Sequence, residues 1–408
     1  MFTVNSVRLL SSIEDLGRIG FTEGSGISRV CLTQSDVAGK NFVYKLMQSA
    51  GLHTYFDEVA NVVGILNATA DVSPIFSGSH TDTVIGAGRL DGSYGVLAAI
   101  EAANSIRGQG VPVRRPLGVI SFTNEEGVRF PPMIGSKYFT GESKLDDILQ
   151  LRDASGVTVR EALNGVGVRH ETTKVMSKAV KGFLELHIEQ GPILEEEHIQ
   201  IGVVESIVGM RQFIISVQGS ADHAGTTPMN LRKDALLVAS QFIIAVHELR
   251  REIAIDGVVT VGKLEVKPNV ANVVPALVNF SVDFRHKSND VLAQLETRLN
   301  SLVEEFTTKT RLCISAKNHF RLPPVKLSSN IANLVEDCAK DLGLSSMRMQ
   351  SGAGHDSMNV NKIAETGMIF VPSKGGKSHT PLEDTNSDDL VNGTNVLCNA
   401  LVELLNSR

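Results

Sequence analysis

Several short stretches of this sequence place metal-binding and proton-handling side chains where apolar runs end. Gly78-Ser79-His80-Thr81-Asp82-Thr83 closes one such run, and Gly88-Arg89-Leu90-Asp91-Gly92 follows closely. Asn124-Glu125-Glu126-Gly127 closes a second run, over 117–122. Farther along, Leu184-Glu185-Leu186-His187-Ile188-Glu189-Gln190-Gly191-Pro192 puts His187 at the end of an alternation, and Ser378-His379-Thr380-Pro381-Leu382-Glu383 puts His379 beside a glycine-rich loop. Imidazole nitrogen and carboxylate oxygen together suit a divalent, zinc-like ion. His80 and Asp82 form His-x-Asp, a spacing that lets a carboxylate take the imidazole's other nitrogen. Asp91 sits between glycines, which allow close backbone approach, and it could also cap a helix that starts at 92. Glu125 and Glu126 are adjacent and point to different sides, so one can bind metal while the other handles a proton. Any one of these residues has a plain structural role open to it, a surface loop for His80 or a solvated acidic loop for the glutamates. Their joint occurrence makes the case for a metal site.

The elements that must position them alternate. Helical spacing over 34–51 is followed by strand-like 59–66 and 74–78, a helix over 92–106 and a strand over 117–122. Helices alternating with buried strands predict an α/β fold with a mostly parallel sheet, whose strand ends carry the chemistry. Near residue 202 the texture changes. Strands over 213–218, 258–266, 277–285 and 313–317 and helices over 234–250 and 290–309 give the split βαβ, ferredoxin-like order. After Pro323-Pro324 the α/β pattern returns, with a strand over 368–371 and a last helix. The expected division is a catalytic domain in two parts, 1–207 and 323–408, with an α+β lid or dimerisation domain, 208–322, inserted between them.

At 408 residues two domains are the default. A net charge of −6 argues against nucleic acid or an anionic membrane as the main partner. Cys31, Cys313, Cys338 and Cys398 are scattered and form no CxxC pair, which fits reduced structural thiols. No apolar stretch reaches bilayer-spanning length, and residues 1–10 lack a signal-like apolar run, so a cytoplasmic protein is expected.

Taken with Asp-His-Ala-Gly-Thr-Thr-Pro-Met (222–229) and Ser-Gly-Ala-Gly-His-Asp (351–356), the motifs above resemble the M20-type amidohydrolases across nearly the whole chain. The resemblance is to the hydantoinase/carbamoylase branch, which holds N-carbamoyl-L-amino acid hydrolases, allantoate amidohydrolases and β-ureidopropionase. It implies a di-metal hydrolase. Asp91 would bridge two divalent ions (zinc, manganese, cobalt or nickel), with His80 and His187 completing one site and Glu126 and His379 the other. Glu125 would be the general base and Asp82 the partner of His80. The resemblance also implies that His223 stabilises the oxyanion, usually in the partner subunit's site, so a homodimer is expected. Arg285 would clamp a substrate carboxylate, for which a guanidinium fork is suited. Gln190 and Asn272 would hydrogen-bond substrate, and Gly352, Gly354 and His355 would shape the pocket floor. His187, where peptidase relatives usually carry a carboxylate, marks the carbamoyl-hydrolysing branch.

The expected activity is therefore metal-dependent removal of the carbamoyl group from a small ureido-carboxylate, an N-carbamoyl-L-amino acid first. Arg211 resembles a residue of the allantoate enzymes and keeps allantoate as the alternative. An M20 dipeptidase or aminoacylase is the second alternative, against which His187 stands. A metal-binding protein without activity would not be expected to keep Glu125 and all five ligands.

Overall fold

The computed structural model describes residues 1–67, 72–168 and 179–407, and divides into two compact units, Met1–Glu205 with Leu327–Arg408, and Ser206–Lys326. In the first unit the strands lie in the order His53–Phe56, Val62–Leu66, Leu117–Phe122, Ile75–His80, Gly182–Ile188, Glu365–Val371, Ile201–Ile207. The four central strands of that series are parallel. Val62–Leu66 and His53–Phe56 continue one side antiparallel, and Ile201–Ile207 the other. The sheet is thus mixed, not mostly parallel as the alternation of elements suggested. The reason on one side is the short link over 57–61, where Asp57 accepts the N–H of Val59 and of Asn61 at 3.1 and 2.8 Å. A tight link allows only an antiparallel return, whereas a parallel crossover takes a dozen residues or more. The apolar run from 59 had hidden this turn inside what read as a single strand.

Parallel register sets the site. Pairing of Ile75 with Gly182 and of Ser77 with Leu184 brings His80 level with His187 at the carboxyl ends of neighbouring strands, their rings 6.1 Å apart. Pairing of His80 with Phe122 places the glutamate pair just beyond the next strand end. The Ser93–Gly108 helix packs on Ile75–His80 and Gly182–Ile188 and is buried along most of its length. A Cβ on its Gly95 would lie 2.2 Å from the Leu186 carbonyl, so the helix rides almost on the strand backbone. That approach delivers Asp91, just before the helix, to the strand ends. On the opposite face of the sheet Phe76, Phe122 and Phe183 are fully buried with Phe139; removing any one ring costs about 3–5 kcal/mol.

The second unit is an antiparallel sheet. Its order is Val258–Thr260, Leu277–His286, Gly209–Gln218, Cys313–Leu322, with Leu264–Lys267 also on Leu277–His286. The expected single strand over 258–266 is two strands interrupted around Gly262, a residue that weakens a strand interior. Helices Ala235–Ile253 and Asn289–Thr310 cover one face, and Phe213, Ile215, Val217, Val278, Phe280, Val282 and Phe284 face them. All four cysteines are free thiols. Among the described residues no helix is long and apolar enough to cross a membrane.

Candidate metal centre

Asp91 is the pivot of the first unit's polar cluster. Its Oδ1 lies 3.2 Å from His187 Nε2 and 3.8 Å from His80 Nε2, and its Oδ2 lies 3.0 Å from His379 Nε2. Glu126 Oε2 is 3.6 Å from that same His379 nitrogen. Two triplets result, His80–Asp91–His187 and Asp91–Glu126–His379, each with ligand atoms within 4.8 Å of one another. Each carboxylate oxygen of Asp91 faces a different triplet. A third grouping, Glu185–His187–His355, is committed to the protein: Glu185 accepts Ser79 Oγ at 2.7 Å and the Ser357 N–H at 3.2 Å, and His355 Nε2 lies 2.8 Å from Ser351 Oγ.

Local backbone makes this packing possible. Gly92 has φ +61°, and a Cβ there would fall 2.4 Å from the His80 ring. Asn124, Gln190 and His379 are also left-handed, at φ +57°, +61° and +56°, a conformation that costs energy and collects at functional sites. His80 Nδ1 lies 3.0 Å from the Asp82 carbonyl and His187 Nδ1 2.9 Å from the Ile188 carbonyl. A carbonyl only accepts, so both Nδ1 atoms carry hydrogen and both Nε2 atoms are turned to Asp91.

Asp82 works differently from the expectation. Its carboxylate, buried and 4.0 Å from His80 Nδ1, accepts the N–H of Glu125 at 3.2 Å and of Glu126 at 3.3 Å. It orients the glutamate pair, while its backbone carbonyl orients the imidazole. Buried Lys40 braces the same loop, donating to Thr123 Oγ1 at 2.9 Å and the Ala60 carbonyl at 3.1 Å.

The charges fit a divalent cation. Burial and then the Asp91 carboxylate push Glu126 up to about 8. Burial, with Asp356 and Glu126 beside it, pushes Glu125 well above the usual range. Burial lowers His187, but the Asp91 carboxylate outweighs it and lifts the imidazole to about 9. A hydrogen bond to Asp91 lifts His379, against its burial, to about 9. Protons therefore stand where positive charge is wanted. A divalent ion bound by these carboxylate oxygens and imidazole nitrogens would displace those protons and supply the positive charge in their place.

The remaining expected site residues divide by unit. Gln190 Nε2 donates to Asp91 Oδ2 at 2.9 Å, so it touches the pivot of the polar cluster directly. His355 is buried, its ring edge-on to His187 at 4.7 Å, within the loop that holds Gly352 and Gly354. Arg211, His223, Asn272 and Arg285 belong to the second unit. There the Asn272 carbonyl accepts the Ala224 N–H at 2.9 Å. His223 is exposed, and its Nδ1 accepts the N–H groups of Gly225 and Thr226 at 3.0 and 3.2 Å, which leaves Nε2 bearing the hydrogen. Arg285 lies on the face away from the helices, 3.1 Å from Asp283. Arg211 lies on the helix-covered face, in step with Phe213, Ile215 and Val217; it donates to Asn289 Oδ1 at 2.7 Å and sits 3.7 Å from Glu296. Sequence reasoning gave no role to Ser378 and Glu383. Ser378 Oγ lies 3.0 Å from both Asp91 Oδ2 and Glu383 Oε2, and Glu383 Oε1 accepts the N–H of Leu90 and of Asp91 at 2.8 and 3.0 Å. A carboxylate shortly after the last histidine was the available sign.

Residues 66–403 match peptidase family M20/M25/M40. The chain belongs to that family. Within it, the chain is 37% identical to the N-carbamoyl-L-amino-acid amidohydrolase of Paenarthrobacter aurescens, over 97% of each chain. It is 35% identical to the allantoate amidohydrolase of Bacillus subtilis, over 96% of each. A crystal structure of a hydantoinase/carbamoylase family amidase from Burkholderia multivorans superposes with a TM-score of 0.93 at 36% identity, covering 98% of each chain. The M20/M25/M40 fold therefore carries, in this chain, a pivot carboxylate between two histidine-bearing triplets.

Proposed function

We propose that this protein is a metal-dependent amidohydrolase that hydrolyses the carbamoyl group of N-carbamoyl-L-amino acids. The observation that carries it is Asp91, whose two carboxylate oxygens serve different triplets with Glu125 alongside. On this reading His80, Asp91 and His187 hold one divalent ion and Asp91, Glu126 and His379 a second, from among zinc, manganese, cobalt and nickel. When bound, such ions supply Lewis acidity and lower the pKa of water towards neutrality.

The chain's residues do the rest. Glu125, its Oε2 3.7 Å from His80 Nε2, takes the proton of the attacking water and delivers it to the leaving nitrogen. Asp82 keeps that glutamate aimed through its backbone N–H. We assign the Nε2–H of His223 to the developing oxyanion, where a fixed donor stabilises charge most. Arg285 is assigned to the substrate carboxylate, and Asn272 and Gln190 to its remaining polar groups. Water and the carbamoyl compound give the free amine and carbamate, and carbamate breaks down to carbon dioxide and ammonia. The second unit is read as a ferredoxin-like lid and dimerisation domain. Leu237 and Ile244, 51% and 65% exposed on its Ala235–Ile253 helix, suit a homodimer in which His223 acts on the partner's site. The four free thiols suit a cytoplasmic setting.

Allantoate is the second reading, supported by the 35% identical relative of that name. Arg211, the residue that raised it, is held by Asn289 and Glu296 on the helix face, which favours the carbamoyl amino acid. The deciding experiment is ammonia release by metal-reconstituted protein offered N-carbamoyl-L-amino acids, N-carbamoyl-β-alanine and allantoate side by side. The highest kcat/KM is expected for a carbamoyl amino acid. A preference for allantoate overturns the substrate assignment, and turnover of dipeptides alone overturns the class.

A further inference from the structure

We infer that Glu383 is a positioning residue for metal binding: it clamps the Asp91 and His379 loops together, and its loss selectively empties the Asp91–Glu126–His379 triplet. The inference rests on the two-ion reading above and deepens it.

The two triplets are built unequally. His80 and His187 stand at the ends of central strands, with side chains 3% and 1% exposed, and each Nδ1 is fixed on a backbone carbonyl. Their Nε2 atoms are aimed before any ion arrives. His379 is carried on a loop, left-handed at φ +56°, with a side chain 49% exposed. Strand packing does nothing to place it.

Glu383 supplies what the strand ends supply on the other side. It lies in the His379 loop, yet its Oε1 accepts the N–H groups of Leu90 and Asp91, at 2.8 and 3.0 Å. Its Oε2 takes Ser378 Oγ at 3.0 Å, and that hydroxyl is equally close to Asp91 Oδ2. One carboxylate thus fixes the backbone of the pivot ligand and the residue beside His379. The fit is tight: a Cβ on Gly88 would lie 2.4 Å from Glu383 Cβ. The ion pair between the same segments, Asp384 to Arg89 at 3.0 Å, is over a third exposed on both sides, and such pairs hold about 0–1 kcal/mol. Glu383 is only 5% exposed, and its hydrogen bonds are not screened in this way.

The test is metal binding rather than turnover. Metal-free wild type, Glu383→Ala and Ser378→Ala are titrated calorimetrically with Mn²⁺ and with Zn²⁺, with metal content measured after dialysis against a chelator and folding checked by circular dichroism. Wild type is expected to bind two ions. In Glu383→Ala one ion keeps its affinity within about threefold while the other weakens about ten- to a hundredfold, the range seen when outer partners of metal ligands are removed. Ser378→Ala, which leaves the Glu383 backbone contacts in place, is expected to show the same selectivity with a smaller loss, and it serves if Glu383→Ala fails to fold. Equal weakening of both ions, or no change in either, overturns the clamp. A wild type that binds only one ion overturns the two-ion reading itself.

Discussion

Asp82 holds His80 with its backbone and not with its side chain: the imidazole Nδ1 is 3.0 Å from the Asp82 carbonyl oxygen and 4.0 Å from the nearer carboxylate oxygen. The carboxylate is thereby free to accept two backbone N–H groups of the glutamate loop. One residue couples the strand end that carries His80 to the loop that carries Glu125 and Glu126.

That coupling predicts how the base role proposed for Glu125 can be tested alone. Glu125→Gln keeps the backbone N–H that Asp82 accepts and removes only the proton-carrying function. Turnover is expected to fall about 10²–10⁴-fold with metal content unchanged. Steady-state kinetics within about tenfold of wild type would remove Glu125 from the reaction.

Gly92→Ala should be far more damaging than its size suggests. The new methyl would lie 2.4 Å from the His80 ring, at a left-handed φ of +61°. Gly110 has nearly the same φ, +64°, with nothing within 4 Å of its Cβ position. Gly110→Ala should show a positive-φ cost without a clash, about 1 kcal/mol, while Gly92→Ala, at ψ −45° and against the His80 ring, adds about 1–3 kcal/mol more from clash and backbone together and weakens metal binding. Equal denaturation midpoints would refute the clash.

The metal-free protein should lose stability as pH rises. His187 and His379 are lifted from the ordinary imidazole value to about 9, and Glu126 to about 8. A group that binds its proton more tightly when folded stabilises the fold fully below its unfolded pKa and loses that contribution as pH passes the folded one. Between about pH 6.5 and 9 the melting temperature of metal-free protein should fall, and added divalent metal should raise it most at the alkaline end. A melting temperature that rises with pH over that window would contradict the charge arrangement.

Arg211→Met should behave as a structural change in the second unit. It removes the donor to Asn289 and the partner of Glu296, for about 1–3 kcal/mol of stability, with KM for a carbamoyl amino acid nearly unchanged. Arg285→Ala should do the reverse. A large KM rise in Arg211→Met without a change in melting temperature would return Arg211 to the substrate.

Much of the site was legible because its residues close apolar runs: His80, Glu125, Glu126 and His187 were found by where strands end. The face of Arg211 was legible too, since it shares the period-two parity of Phe213, Ile215 and Val217, although resemblance alone had drawn it to the substrate. Other features depend on packing. Whether Asp82 serves its neighbour by carbonyl or carboxylate is decided by a turn, and Glu383 gains its role only when its loop meets residues 88–91. The mixed sheet was hidden by the Asp57 turn, which an apolar run does not reveal.

The first unit's chain leaves at Glu205 and resumes at Leu327. Asp91 and its neighbours His80, Glu125, Glu126 and His187 precede that excursion, while His379, with Ser378 and Glu383, follows it. During synthesis the strand-end histidines and the glutamate pair can assemble early, but the pivot's second oxygen has no histidine to meet until the whole intervening unit has been made. Synthesis therefore supplies every member of the strand-held triplet before the 206–326 unit is made and the histidine of the loop-held triplet only after it.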